Sequence, residues 1–112
     1  MAVHSQWVTT GLEFEGHRIV GYRGVVRGIT VSSRNLIANL GAAIQTLFGG
    51  NITLWTELCE HARQEAYDLM VRHAQEMGAN GVIGMRYDAN EVAQGATEVL
   101  AYGTAVVIEQ AR

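Results

Sequence analysis

The hydrophobic pattern of the chain begins with an alternating segment at residues 18–31. Alternation with a period of two is typical of a β-strand, whose successive side chains point to opposite faces. The alternate positions Arg23 and Arg27 are predicted to face outward. Upstream, residues 8–14 are predicted to supply a short edge strand and a turn. The positions predicted to face the core are Val20, Tyr22, Gly24, Val26 and Gly28.

Two helices are predicted to follow this strand. The first begins after Ser32 and Ser33, whose hydroxyls suit a helix N-cap, and runs to about Phe48 before Gly49 and Gly50 end it. One of its faces is apolar, and the opposite face carries small neutral residues instead of charges. Such a face is typical of a contact with another chain, although a weakly polar solvated face is the alternative. The candidate interface positions on it are Ala38, Asn39, Ala42 and Gln45.

The second helix is predicted from about Leu54 to Met77 and ends at Gly78. Arg72 lies four residues from both Asp68 and Glu76, so the two pairs are predicted to add small support. Apolar residues recur at helical spacing along the side that is predicted to face the core. This apolar stripe consists of Trp55, Leu58, Cys59, Ala62, Ala66, Leu69, Met70, His73, Ala74 and Met77.

Two further strands are predicted at residues 81–88 and 97–109, joined by a loop through Asn90 and Gly95 and paired antiparallel. The last strand is apolar at both sets of alternate positions, which predicts burial on both faces. Two helices adjacent in sequence cover one face, and no third helix is available for the other. We therefore predict a homo-oligomer in which a neighbouring subunit covers Val106 and Ile108, because such a strand left bare would aggregate.

Length and composition place the chain among compact globular proteins. Its 112 residues predict one domain, residues 1–112, and a hydrophobic content of 48% is too high for a disordered chain. The 11 acidic and 8 basic residues give a net charge of −3, which argues against a nucleic-acid partner. The uncharged stretch at residues 35–56 is interrupted by polar residues and Gly49-Gly50, so it favours a helix and a turn over a membrane span. With one cysteine and no signal-peptide pattern, a cytoplasmic location is expected.

Candidate metal ligands lie on the second helix. Cys59 is the only thiol, and its simplest interpretation is a small buried hydrophobic residue. Met70, His73 and Met77 share one helical face within about two turns, and thioether and imidazole groups suit a soft or borderline metal ion. Plain core packing is the alternative for these three residues. A site at Cys59 would need ligands from another element or subunit, because Met70 is about 16 Å away along the helix axis.

Other polar groups allow weaker hypotheses. Arg23, Arg27 and Arg86 are expected on the outward face of the sheet, where they could bind an anion or pair with Glu98 across strands. We favour the pairing with Glu98. The sequence has neither a P-loop nor a nucleophile-elbow motif, so no catalytic activity is expected.

Several segments of the chain together resemble the YbjQ-like family, small prokaryotic proteins that are labelled as heavy-metal-binding domains. The resemblance extends from about residue 9 to residue 108 and implies an α+β subunit with three main strands and two helices. It also implies a pentameric ring. No metal ligand is carried over, because domains of that type hold metal with a C-x-x-C pair and Cys59 is alone. The matching segments are residues 24–28, Phe48-Gly49-Gly50, Trp55, residues 62–66, Met70, Ala74, residues 77–88 and residues 102–106.

Together these observations predict a cytoplasmic, non-catalytic homo-pentamer that binds a heavy metal or another small ligand. One alternative is a structural ring that presents loops to a protein partner. The other alternative is an enzyme whose site forms between subunits, and its candidate residues are Arg86, Tyr87, Asp88 and Glu91.

Overall fold

The computed structural model describes residues 3–4, 7–33 and 52–111. These residues form an α+β fold with four elements: strand β1 (His17–Ser33), helix α1 (Ile52–Glu76), strand β2 (Gly81–Ala93) and strand β3 (Ala96–Gln110). The strands form an antiparallel sheet in the order β1-β3-β2, so β3 is central. The helix predicted to end near Phe48, with the interface positions Ala38, Asn39, Ala42 and Gln45, lies outside the described residues.

The β2–β3 hairpin confirms the predicted antiparallel pair and is longer than expected. Asn90, predicted in a loop, lies in β2 opposite Glu98, and the ladder continues to the pair Ala93 and Ala96. Gln94 and Gly95 alone make the turn, and Gly95 has a φ of 78°, which suits a residue without a Cβ.

Helix α1 packs on one face of the sheet, here called the helix face. Ala66 and Met70 are fully buried against it. The contact is closest at Gly28, where a Cβ would lie 2.0 Å from the Ala66 carbonyl oxygen and 2.4 Å from the Met70 backbone nitrogen. Small residues on both elements therefore set the distance between helix and sheet. The main core between them includes Val26, Ala62, Ala66, Met70, Ala74, Val82, Met85, Val99, Ala101 and Ala105.

Two irregularities in β1 correct the predicted facing of its first half. The pairing with β3 shifts register between Ile19 and Gly21 and again between Tyr22 and Gly24. Val20 and Tyr22 are consequently 49% and 68% exposed, whereas Val26 and Gly28 are buried as predicted. Each shift moves the following residues to the other face, so strict alternation does not hold across it.

The second face of the sheet, here called the open face, is partly covered from within the chain. Phe14 and Trp7 pack with Val106 and Ile108, which are 0% and 7% exposed. Thr9 pairs with the outer edge of β2, donating its N–H to the Val82 carbonyl oxygen at 3.0 Å. The prediction that only a neighbouring subunit could cover Val106 and Ile108 is therefore wrong, because residues 7–14 cover them. The short edge segment predicted upstream of β1 is what supplies this cover.

Beyond residues 7–14 the open face carries apolar side chains that remain accessible. Opposite residues in the ladder share a face, so Val25 pairs with Thr104, Arg27 with Tyr102 and Ile29 with Leu100 there. The exposed fractions on this patch are 68% for Tyr22, 66% for Val25, 44% for Ile29, 58% for Val31 and 36% for Tyr102. Helix α1 has 25 residues but lacks the continuous apolar stretch of a membrane-spanning helix, and no other helix in the described ranges has one.

Candidate functional site

Of the four predicted metal ligands, Cys59 lies apart from the other three in the structure. Met70 is fully buried in the core, and Met77 is half-buried against it. Cys59 is exposed, which corrects its predicted burial. Ala62 is the first buried residue among the described side chains of α1. Cys59 lies about one turn earlier and therefore precedes the contact of the helix with the sheet. It is about 21 Å from His73 along the helix axis, at 1.5 Å per residue.

His73 is the one member of this set with a specific polar contact. It is half-buried, and its Nδ1 accepts a hydrogen bond of 3.2 Å from the backbone N–H of Arg27. β1 is an outer strand of the described sheet, and His73 bonds this N–H from the helix. The imidazole thereby ties α1 to the edge of the sheet.

A groove of about 340 Å³ lies where α1 passes the edge of β1. The sequence pattern did not indicate it, because its residues come from segments 40 or more positions apart. The groove is lined by Arg27, Gly28, Ile29, Leu69, Arg72, His73 and Glu76.

The arginines of this groove are not paired in the way that the sequence predicts. Within residues 7–33 and 52–111 the ion pairs are Arg18 with Glu109 and His61 with Glu65. The predicted pairs of Arg72 with Asp68 and Glu76 are absent from this set, and the Asp68 carboxylate instead accepts a hydrogen bond of 2.9 Å from Gln64. Glu98 lies opposite Val31, so the ladder does not place it beside Arg27.

The residues proposed for catalysis between subunits lie on opposite faces of β2. Arg86 is opposite Tyr102 on the open face and donates to the Thr10 carbonyl oxygen at 2.8 Å. Tyr87 is opposite Ala101 on the helix face. The Asp88 carboxylate accepts hydrogen bonds from the backbone of Ala89 and the amide of Asn90, so its contacts are local.

Two tyrosines, one on α1 and one on the helix face of β2, have perturbed acidity. Burial raises the pKa of Tyr67, and the charges of Tyr87 and Asp68 raise it further. Burial also raises the pKa of Tyr87, whereas the neighbouring Arg63 lowers it. The Arg63 guanidinium lies 5.5 Å from the centre of the Tyr87 ring, a cation–π distance.

A turn after α1 contains a polar residue whose role the sequence did not reveal. Gly78 has a φ of 79°, and the N–H groups of Gly78 and Ala79 donate to the carbonyls of Gln75 and Ala74, which closes the helix in a Schellman motif. The next side chain, Asn80, makes two hydrogen bonds to the backbone of Ile108: it donates to the carbonyl oxygen at 3.0 Å and accepts from the N–H at 2.8 Å. Asn80 thus adds one rung to the ladder where β2 begins.

Within the part of the chain that the structure describes, no group of three or more His, Cys, Asp or Glu side chains is arranged to hold a metal ion. The residues instead define a small α+β protein with a groove at a sheet edge and an apolar patch on the open face.

Comparisons with known proteins identify the family. A family model described as “Putative heavy-metal-binding” matches residues 7–109. UPF0145 proteins from Burkholderia thailandensis and Burkholderia mallei are each 57% identical over 101 residues, which cover 90% of this chain and 91% of theirs. The resemblance to the YbjQ-like family is confirmed, and the chain belongs to that family.

A solved structure has a similar fold. A protein of unknown function in the DUF74 family, from Pediococcus pentosaceus, aligns with a TM-score of 0.54 and 20% sequence identity. The alignment covers 95% of this chain and 100% of that protein. At this identity the similarity concerns the fold alone.

Proposed function

We propose that the protein is a non-catalytic homo-oligomer that binds a small ligand. The observation that carries the assembly is the apolar patch of Tyr22, Val25, Ile29, Val31 and Tyr102 on the open face. Exposed apolar surface of this kind, here interrupted by Arg27, is typical of an interaction site, because burying it releases ordered water. A second copy of the chain is the partner that is always present.

The pentameric ring is the arrangement that the family resemblance implies, and two features of the fold favour a closed assembly. Among the described residues, the outer edge of β1, a strand of 17 residues, has no strand paired to it, and His73 occupies it at Arg27. It lies directly beside the apolar patch, so one neighbouring subunit can cover both. A rotational arrangement that closes leaves no such edge exposed, whereas an open one would produce a fibre.

The non-catalytic part of the proposal rests on the geometry of the candidate residues. Arg86 and Asp88 lie on one face of β2, and Tyr87 lies on the other. Arg86 is bonded to the Thr10 carbonyl oxygen and Asp88 to its neighbours Ala89 and Asn90, contacts that favour structural roles for both side chains.

The test is native mass spectrometry of the full chain purified without chelators. We expect a mass near 61 kDa, five times the 12.2 kDa protomer, together with any co-purified ligand. A species of protomer mass at micromolar concentration contradicts the assembly. Adding Zn²⁺ or Cu(I) tests a metal ligand in the same experiment, and His73→Ala and Cys59→Ala show which residue holds any metal that binds.

A further inference from the structure

The sequence contains a single Asn-Gly pair, Asn80-Gly81, at the start of β2. Asparagine is a chemically labile residue, and it deamidates most readily before glycine, because a neighbour without a Cβ lets its backbone nitrogen approach the asparagine side chain. Asn80 is therefore the asparagine that the sequence makes most reactive. The others, which precede leucine, isoleucine or glutamate, are Asn35, Asn39, Asn51 and Asn90.

The reaction needs only water and a base. The backbone nitrogen of Gly81 loses its proton and attacks the Asn80 Cγ, and the bond from Cγ to Nδ2 breaks. Nδ2 leaves as ammonia and a succinimide ring closes between the two residues. One water molecule then opens the ring at either carbonyl, which gives aspartate or isoaspartate. The net change is one water consumed and one ammonia released, with no oxidation or reduction.

The fold holds the Asn80 carboxamide in its unreacted form. Nδ2 donates to the Ile108 carbonyl oxygen at 3.0 Å, and Oδ1 accepts from the Ile108 N–H at 2.8 Å. Both bonds depend on a planar amide. Ring closure makes Cγ tetrahedral and removes Nδ2, so the contact with Ile108 must break before the reaction can proceed.

The attacking nitrogen belongs to a residue that is also packed on both sides. Gly81 is buried and lies opposite Val106 in the ladder. A Cβ on Gly81 would lie 3.3 Å from the Phe14 ring and 3.3 Å from the Trp7 carbonyl oxygen. Residues 7–14 therefore cover this position, and a base reaches the Gly81 nitrogen only when the start of β2 opens locally.

We propose that Asn80-Gly81 is a spontaneous deamidation site that the native fold protects and that opening of β2 exposes. The product cannot restore the contact with β3, because a carboxylate only accepts hydrogen bonds and leaves the Ile108 carbonyl without a donor. Isoaspartate also adds a carbon to the main chain, which disturbs the register of β2. Deamidation thus converts a reversible opening into a permanent loss of stability. This inference concerns the subunit fold and does not depend on the proposed ligand.

The first test compares two Asn-Gly pairs in one chain. Glu91→Gly gives Asn90 a glycine neighbour as well, and the exposed Asn90 amide bonds only the Asp88 carboxylate, at 3.2 Å. Peptide mass spectrometry follows both sites in buffer and in urea above the unfolding midpoint. In urea we expect their deamidation rates to agree within about threefold, because the native contacts are gone. In buffer Asn80 should react at least about tenfold more slowly than Asn90.

The wild-type chain supplies the same measurement without a substitution. Its Asn80 should deamidate at least about tenfold more slowly in buffer than in urea. Equal rates for Asn80 in buffer and in urea would overturn the protection by the fold. A wild-type Asn80 that reacts in urea no faster than Asn90, which there precedes glutamate, would overturn the site itself.

A second test examines the consequence of the modification. Asn80→Asp carries the product side chain, and Asn90→Asp is the matched control on the same strand. After dilution from urea we expect the ratio of folded to unfolded Asn80→Asp to be about tenfold below that of wild type, the effect of one unsatisfied, partly buried group. Asn90→Asp should stay within about twofold of wild type. An Asn80→Asp protein that refolds as completely as the control would overturn the claim that deamidation makes opening permanent.

Discussion

Asn80 shows how one side chain can replace a stretch of backbone. Its amide presents a donor and an acceptor with the same spacing as a peptide group, and both bond to Ile108 on β3. The bonds are partly shielded from water, so leaving the Ile108 groups without partners has a substantial cost.

We predict that Asn80→Ala lowers the free energy of unfolding by about 1–3 kcal/mol, the cost of unsatisfied partly buried groups. Urea unfolding followed by circular dichroism measures the change. Asn90→Ala is the control, because the Asn90 amide bonds only an exposed Asp88 carboxylate and its loss should cost little. Equal destabilisation by the two variants would contradict the role given to Asn80.

Gly28 is required by a close approach of two backbones. A Cβ at this position would meet the Ala66 carbonyl oxygen at 2.0 Å and cannot be accommodated by rotating a side chain. Gly21, on the same strand, would place a Cβ 3.9 Å from Val107, an ordinary contact.

Gly28→Ala should therefore destabilise the fold by roughly 3 kcal/mol or more, because α1 must move off the sheet and leave gaps in the core. Gly21→Ala should change stability by less than about 0.5 kcal/mol. Thermal unfolding of both variants checks the pair. A Gly28→Ala protein as stable as Gly21→Ala would show that the helix does not pack at this distance.

At the scale of elements, periodicity predicted the strands and the second helix well. The predicted helix end at Gly78 agrees with the observed Schellman turn, since a glycine at that position is a local signal. The two irregularities in β1 were not predictable, because a register shift depends on how Val107 and Val106 on the distant strand β3 are matched. That is why Tyr22 was assigned to the wrong face.

The sequence predicted only part of the candidate site, again because contacts between distant segments leave no local signal. His73 was identified from its position on the helix, which is a local property. Its contact with Arg27 joins residues 46 positions apart, and no local pattern encodes it. Helical spacing suggested partners for Arg72 at Asp68 and Glu76, but Gln64 bonds Asp68 instead.

The contact of α1 with β2 makes the stability of the fold depend on pH. Burial raises the pKa of both Tyr67 and Tyr87 above the ordinary value of 10.0. The folded state therefore holds these phenolic protons more tightly than the unfolded state does. The resulting stabilisation is fully present below pH 10.0 and is lost as the pH rises through the folded-state pKa values.

We predict that the wild-type protein loses stability between about pH 9 and about pH 11, and that the Tyr67→Phe/Tyr87→Phe double variant loses less. Urea unfolding at the two pH values measures the difference, and ultraviolet absorbance reports phenolate formation. An identical pH dependence in wild type and double variant would contradict the contribution of these tyrosines.

At the scale of the molecule, the sheet is covered unequally. The helix face is closed by α1, and residues 7–14 close the open face only around Val106 and Ile108. The sequence predicted two helices on one face and an apolar second face for a neighbouring subunit, and apolar side chains on that second face are exposed in the described residues. It misplaced the uncovered part, because it could not show that Trp7 and Phe14 fold back onto β3.

The proposed interface therefore centres on Val25 and Ile29 instead of Val106. Val25→Glu places a carboxylate in the middle of the patch, where assembly would have to remove it from water. Since Val25 is 66% exposed in the subunit, the charge stays hydrated in an isolated protomer and the fold should persist. We expect native mass spectrometry and light scattering to show protomer mass, with unchanged circular dichroism. Leu12→Glu is the matched control, because Leu12 is 75% exposed but lies near β2, away from this patch. An oligomer of wild-type mass in the Val25→Glu protein, or equal dissociation by both variants, would exclude the open face as the contact between subunits.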